Sequence, residues 1–121
     1  MRGVFFGIGL AAALLVASAA AGAQCGFERC WGAVAIGPDG EWAWSKGYVV
    51  EAGAIARIQN QCPGCTEIET FYNGCAVIAQ ADTGAWGFGW GDTQVQAERV
   101  AVTYCTQFAI NCEPMVWACS Y

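Results

Sequence analysis

The sequence predicts an α+β fold of two ββαβ pseudo-repeats, in which a mostly antiparallel sheet packs with two helices and is stapled by disulfides. Three observations carry this prediction. A motif of aromatic and small residues occurs twice at a spacing of 44, apolar residues alternate in the segments around each copy, and eight cysteines follow an apolar N-terminal segment. The repeat units span about 31–72 and 75–119.

Residues 1–23 are predicted to be a signal peptide. Arg2 gives a positive start, Val4–Val16 is a run of apolar residues and glycine, and Ala21-Gly22-Ala23 suits a signal peptidase. The apolar run is too short for a comfortable membrane span, and no second such run follows. We therefore expect a mature chain without a membrane span, residues 24–121, that forms a single disulfide-rich domain and is secreted or periplasmic.

The predicted mature chain is acidic. All ten carboxylates fall in residues 24–121 together with only four cations, which gives this segment a formal net charge of −6. Scattered cations on an acidic domain do not form the positively charged surface that binds nucleic acid or anionic lipid. Neither is expected as a partner.

The first repeat begins with a hairpin. Ala33–Ile36 and Glu41–Tyr48 are predicted strands around the turn Pro38-Asp39-Gly40. A helix over Ala52–Gln61 follows without an obvious N-terminal cap, and the strand Glu67–Tyr72 closes the unit.

The second repeat has the same order of elements. Its hairpin is predicted from Ala76–Gln80 and Ala85–Trp90, and its last strand is Met115–Ser120. Between them, Thr93 and Gln96 have the spacing of a capping box at the start of a helix. Apolar residues then recur at helical spacing: Ala97, Val100, Ala101, Tyr104, Cys105 and Phe108.

The second strand of each hairpin has one aromatic face and one nearly bare face, because side chains alternate along a strand. We expect the aromatic residues to pack against the alanine-rich helices, large against small. The alternative places the helices on the bare faces and leaves the aromatic residues as an exposed binding platform. The candidate ligand-binding residues of that platform are Trp90, Trp42 and Trp86, and Trp90 leads because the first repeat has Lys46 in its place.

An even number of cysteines after an export signal is typical of a disulfide framework. The cysteines are Cys25, Cys30, Cys62, Cys65, Cys75, Cys105, Cys112 and Cys119. Spacing alone leaves the connectivity open. The pseudo-symmetry of the repeats suggests the hypothesis Cys25–Cys30, Cys62–Cys65, Cys105–Cys112 and Cys75–Cys119.

The chain resembles a bacterial exported family, the domain of unknown function 4189. The resemblance covers nearly the whole predicted mature chain. It is carried by Trp31-Gly32-Ala33-Val34-Ala35, Phe71-Tyr72-Asn73-Gly74-Cys75-Ala76, Trp86-Gly87-Phe88-Gly89, Ala97-Glu98-x2-Ala101-x3-Cys105 and Trp117-x-Cys119. It implies secretion and a compact α+β fold, and it brings no catalytic residues. Cys25 and Cys30 lie outside the family's six-cysteine pattern and would form an extra local bridge.

Histidine is absent, which removes His-based catalytic triads and the commonest zinc ligand. Cys62-Pro63-Gly64-Cys65 has the spacing of a redox pair, but it follows a helix C-terminus, where the dipole opposes a thiolate. A four-thiolate zinc site would need a reducing cytosol, which the export signal argues against. Its ligands would be Cys62, Cys65, Cys105 and Cys112.

These observations favour a secreted or periplasmic binding or interaction module over an enzyme, with no cofactor or metal. Its expected partner is a protein, or else an envelope or glycan ligand. Tryptophan rings are well suited to binding any of these. One alternative is a small carboxylate-dependent hydrolase that uses Glu67 and Glu69, which share a face of the strand Glu67–Tyr72. A thiol–disulfide protein is a further alternative.

Overall fold

The computed structural model describes residues 25–121, where six strands and two helices follow the order ββαβββαβ. The strands are β1 (Trp31–Ile36), β2 (Trp42–Tyr48), β3 (Glu67–Tyr72), β4 (Gly74–Gln80), β5 (Trp86–Gly91) and β6 (Glu113–Ser120). The helices are α1 (Glu51–Gln61) and α2 (Gln94–Cys105). The predicted ββαβ pseudo-repeat is confirmed. The predicted signal peptide, residues 1–23, lies outside the described residues.

The strands form two antiparallel sheets of three strands each. The first sheet has the order β2-β1-β3 and the second has the equivalent order β5-β4-β6. In each repeat the first strand is central, because it pairs both with its hairpin partner and with the strand that follows the helix. Each repeat therefore builds one whole sheet.

Local sequence signals explain how the elements begin and turn. Gly40 and Gly84 occupy equivalent positions in the two hairpin turns and have positive φ angles of 84° and 95°, which glycine adopts without steric cost. The capping box predicted for α2 is present, since the Gln96 amide donates to Thr93 Oγ1 at 3.2 Å and the Thr93 amide donates to Gln96 Oε1 at 3.3 Å. The N-cap residue of helix α1 is Val50, which provides no side-chain hydrogen bond.

The two sheets lie face to face and the helices cover their outer faces. Val34 and Ile36 of β1 share one buried cluster with Ile78 of β4 and Val116 of β6, so this cluster lies between the sheets. A second cluster joins the opposite face of the first sheet to α1, and a third joins the opposite face of the second sheet to α2. The layers therefore run α1, first sheet, second sheet, α2.

The expectation that the aromatic faces pack against the helices is wrong. Helix α2 lies on the bare face of β5, so close that a Cβ atom on Gly87 or Gly89 would collide with the helix backbone at Ala101. On the opposite face, Trp86 and Phe88 pack against the cluster between the sheets. The physical reason is close approach, because glycine in a strand lets another backbone come nearer than a side chain would allow.

The disulfides agree with the hypothesis drawn from the pseudo-symmetry. The pairs are Cys25–Cys30, Cys62–Cys65, Cys75–Cys119 and Cys105–Cys112. Three of them close local loops, whereas Cys75–Cys119 joins the opposed strands β4 and β6. None of the cysteines in residues 25–121 is free. Within the same residues, no helix is long and apolar enough to cross a membrane.

Substituting Gly89 with alanine is expected to lower the free energy of unfolding by about 1–3 kcal/mol, because the new methyl group overpacks the contact between β5 and α2. Guanidinium denaturation would measure this change. Val95→Ala on the exposed side of α2 is the control and is expected to change stability by less than about 0.5 kcal/mol. A Gly89→Ala variant with an unchanged free energy of unfolding would contradict the close packing of α2 against β5.

Removing the cross-strand disulfide is expected to cost more stability than removing a local one. The Cys75–Cys119 bridge spans a sequence separation of 44 and Cys62–Cys65 one of only 3. Loop-closure entropy then predicts losses of about 4 kcal/mol for Cys75→Ala with Cys119→Ala, against about 2 kcal/mol for Cys62→Ala with Cys65→Ala. Guanidinium denaturation of the two double variants would make the comparison, and equal losses would refute it.

Candidate functional site

The three tryptophans of the predicted platform occupy different places. Trp42 begins β2, at one edge of the first sheet, and is 55% exposed. Trp86 and Trp90 lie on β5, an edge strand of the second sheet. Trp86 is half-buried against the core between the sheets. The structure therefore does not assemble the three residues into one platform.

Trp90 belongs to an aromatic cluster. Its ring centroid lies 5.5 Å from that of Tyr72, which in turn lies 4.9 Å from that of Trp31. The guanidinium carbon of Arg29 lies 4.8 Å from the centroid of Tyr72, within cation–π distance. Although Trp90 is 48% exposed, its ring lies against Tyr72, so the cluster explains its position as packing between the two sheets.

A concavity lies between β2 and β6, and we call it the Trp groove. Its volume is roughly 360 Å³. Strand β2 contributes the alternate residues Trp42, Trp44 and Lys46, and β6 contributes the consecutive residues 115–119. Trp44 is 43% exposed, so both indoles present ring surface to the groove.

The two walls of the Trp groove are of different kinds. Trp42 and Trp44 stand opposite Ile36 and Val34 in the strand pairing, so they project from the same face of the first sheet as this part of the core. Side chains of β6 alternate between faces, yet five consecutive residues of β6 line the groove. The wall formed by β6 is therefore the edge of the strand, with its backbone.

A buried hydroxyl fixes one end of the Trp groove. Ser120, at the end of β6, is almost fully buried; its Oγ accepts a hydrogen bond from the Gly47 amide at 2.9 Å and donates one to the Trp31 carbonyl at 3.2 Å. These bonds tie β6 to the first sheet next to Lys46. The Lys46 end of the groove therefore lies at the C-terminal end of β6.

The second repeat provides an internal comparison for the Trp groove. Trp86 and Phe88 are the counterparts of Trp42 and Trp44, but both are half-buried and pack against the core. A more open apolar concavity runs along β5 between this pair and the end of α2, where Tyr104 and Phe108 line it. After duplication, only the first repeat keeps its aromatic pair exposed beside an edge of the facing sheet.

The cysteines of the redox and zinc alternatives are paired with one another within residues 25–121. Cys62 and Cys65 are joined to each other, as are Cys105 and Cys112, which is incompatible with a four-thiolate ligand set. Cys62 lies at the C-terminal cap of α1, as expected, and is buried. At this helix end the dipole opposes a thiolate, which disfavours the redox alternative.

Glu67 and Glu69 share a face of β3, as predicted, since they stand opposite Ile36 and Val34 in the strand pairing. Partial burial raises the pKa of Glu69 above its ordinary value, and the nearby charge of Glu67 raises it further. The pair lies on the opposite edge of the first sheet from β2. It is therefore not part of the Trp groove.

Sequence reasoning missed most of the Trp groove. Trp44 could have been found from its shared face with Trp42, and both follow the same alternation. Met115 and Trp117 could not be found this way, because they reach the groove through the stacking of one sheet on the other. No local pattern in β6 signals that contact.

Glu69→Gln is expected to make the stability less dependent on pH. Because the folded state raises the pKa of Glu69, this carboxyl favours folding below its unfolded-state pKa, and that contribution is lost as the pH rises through the folded-state pKa. The variant should lose less stability than the parent protein between acid and neutral pH in denaturant titrations. Glu98→Gln on α2 removes the same charge elsewhere and is the control. Identical pH slopes for Glu69→Gln and the parent would contradict the shift.

The comparisons with known proteins identify the family. The family model described as Domain of unknown function (DUF4189) matches residues 31–119, which cover all eight elements of the fold except the last residue of β6. No curated protein and no solved structure matches the chain. The resemblance noted from the motifs is confirmed, and the chain belongs to the DUF4189 family.

Proposed function

We propose that this chain is an exported binding module whose ligand occupies the Trp groove. The observation that carries the proposal is the pair of exposed indoles, Trp42 and Trp44, held beside the edge of β6. Large exposed aromatic side chains next to a concave backbone edge are typical of binding surfaces, where tryptophan contributes a large share of the affinity.

The scaffold around the groove supports this proposal. The face of the first sheet opposite Trp44 is covered by α1, and Ser45 Oγ, on that face, donates a hydrogen bond to the Ala54 carbonyl of the helix at 3.0 Å. The other wall is held by the Cys75–Cys119 disulfide and by Ser120. A groove fixed on both sides loses little conformational entropy when a ligand binds.

Export is the second part of the proposal. Disulfides persist in oxidising compartments and are rare in the cytosol of most cells, and residues 25–121 hold four of them. The apolar segment that precedes them has the features of a signal peptide. Together these features support a secreted or periplasmic location.

Trp42→Ala and Trp44→Ala are each expected to weaken ligand binding by about thirtyfold, the effect of losing a binding hot spot. Two probe sets, a phage-displayed library of random nonapeptides and an array of oligosaccharides, would supply ligands for the purified oxidised protein. Fluorescence anisotropy would then measure the affinities of the variants.

Phe108→Ala is the matched control, because Phe108 is more exposed than either tryptophan (73%) and lies outside the groove. The affinity of the Phe108→Ala variant for the selected ligands should stay within about twofold of that of the parent protein. Circular dichroism should show that all three variants are folded. Ligands that bind both tryptophan variants as tightly as they bind the parent protein would refute the Trp groove as the binding site.

A further inference from the structure

We infer that the Trp groove binds an extended peptide that adds to the edge of β6 as a further β-strand. This inference rests on the proposed binding function and names its ligand class. The peptide carries apolar side chains that contact Trp42 and Trp44, and a carboxylate that pairs with Lys46. Strand addition of this kind takes affinity from backbone hydrogen bonds and specificity from alternate side chains.

The edge of β6 that lines the groove is available for pairing. Among the described residues, β6 pairs with β4 on one side only. No other backbone hydrogen bond within residues 25–121 involves the residues of β6. An exposed row of backbone donors and acceptors is the template on which another strand pairs.

The strand pairing shows which groups of β6 face outward. The Cα atoms of Cys75 and Cys119 stand opposite each other, 3.9 Å apart. That spacing is shorter than the roughly 5.5 Å of a hydrogen-bonded antiparallel pair, so the amide and carbonyl of Cys119 point away from β4. Because this orientation alternates along a strand, the amide and carbonyl of Trp117 also point away from β4. No hydrogen bond within residues 25–121 involves these four groups.

Only part of β6 is open to pairing. At its N-terminal end, Pro114 has no amide hydrogen, and the register shift between Ile78 and Ala79 leaves Met115 without a partner on β4. Both features reduce the ability of a strand edge to pair with another strand. On the opposite edge of the first sheet, β3 carries Glu67 and Glu69, and charged side chains also discourage pairing. The open part of β6 is therefore short, which suits a ligand of a few residues.

The charge at the groove selects the ligand further. Lys46 is the only charged side chain among the groove residues, and it belongs to a segment with a formal net charge of −6. Four residues along β2 separate it from Trp42, a distance of roughly 13 Å. A peptide with apolar residues near one end and a carboxylate about four residues away matches this spacing.

A peptide fits the groove better than a glycan. Sugars need polar side chains around the aromatic ring to bind their hydroxyls, and Lys46 is the only charged or amide side chain in the lining. The other polar groups available are backbone amides and carbonyls of β6. A regular row of such groups is complementary to another extended backbone.

The test uses nonapeptides selected from a phage-displayed random library on the purified oxidised protein. Each peptide is synthesised with single backbone N-methyl groups, which remove one amide donor and block close approach. N-methylation at alternate positions is expected to weaken binding by about tenfold or more, whereas the intervening positions tolerate it. Lys46→Gln is expected to weaken acidic peptides severalfold and to reduce the salt dependence of their binding. Phe108→Ala is the control for both measurements.

The outcomes separate this inference from the proposed function. Peptides that tolerate N-methylation at every position would overturn strand addition. Oligosaccharide binding lost in Trp44→Ala, without any peptide binding, would keep the binding function and replace the ligand class. A dimer that dissociates in Trp44→Ala would identify a second copy of the chain as the occupant. If no probe depends on Trp42 or Trp44, the inference and the proposed function both fail.

Discussion

The contact between the two sheets is the interaction on which the rest of the fold depends. Each repeat builds a three-stranded sheet and covers one face with its own helix, which leaves the other face apolar and open. The open faces carry Val34 and Ile36 in the first repeat and Ile78 and Val116 in the second. Among residues 25–121, it is the neighbouring repeat that buries them. Hydrophobic burial between the repeats therefore links the duplication to the stability of the whole chain.

This contact also determines where the aromatic residues lie. Because the helices occupy the bare faces of the hairpins, the aromatic faces turn toward the contact between the sheets. In the second repeat the aromatic pair becomes part of the core. In the first repeat, Trp42 and Trp44 lie on an edge strand and line a groove together with residues of β6. The same motif thus has a structural role in one copy and a surface role in the other.

Sequence reasoning succeeds here wherever the signal is local or repeated. The hairpins, both helices and the α2 capping box follow from alternation, helical spacing and turn residues, and the pairing of the cysteines follows from the pseudo-symmetry. Alternation shows which residues share a face, but not which face meets a helix. The glycines Gly87 and Gly89 indicate which face meets the helix, because glycine at every second position of a strand permits a close backbone contact.

The candidate site was only partly predictable for a related reason. Trp42 was found because the repeat marks it, and Trp44 shares its face. Met115 and Trp117 lie far from both in the chain and meet them only through the offset between the stacked sheets. Trp90 is exposed, as its place in the repeat suggests, but its contact with Tyr72 depends on the same stacking and has no signal in the sequence. Long-range contacts of this kind leave no period in the sequence.

Lys46 lies on one edge of the first sheet, and Glu67 and Glu69 lie on the other edge. The two edges are two strand spacings apart, or roughly 10 Å. The first sheet therefore carries a cation at its β2 edge and two carboxylates at its β3 edge. An acidic peptide of the kind proposed for the Trp groove would be repelled from the β3 edge and attracted toward Lys46 before any contact forms. The orientation of such an encounter complex would be set by charge, and raising the ionic strength would randomise it.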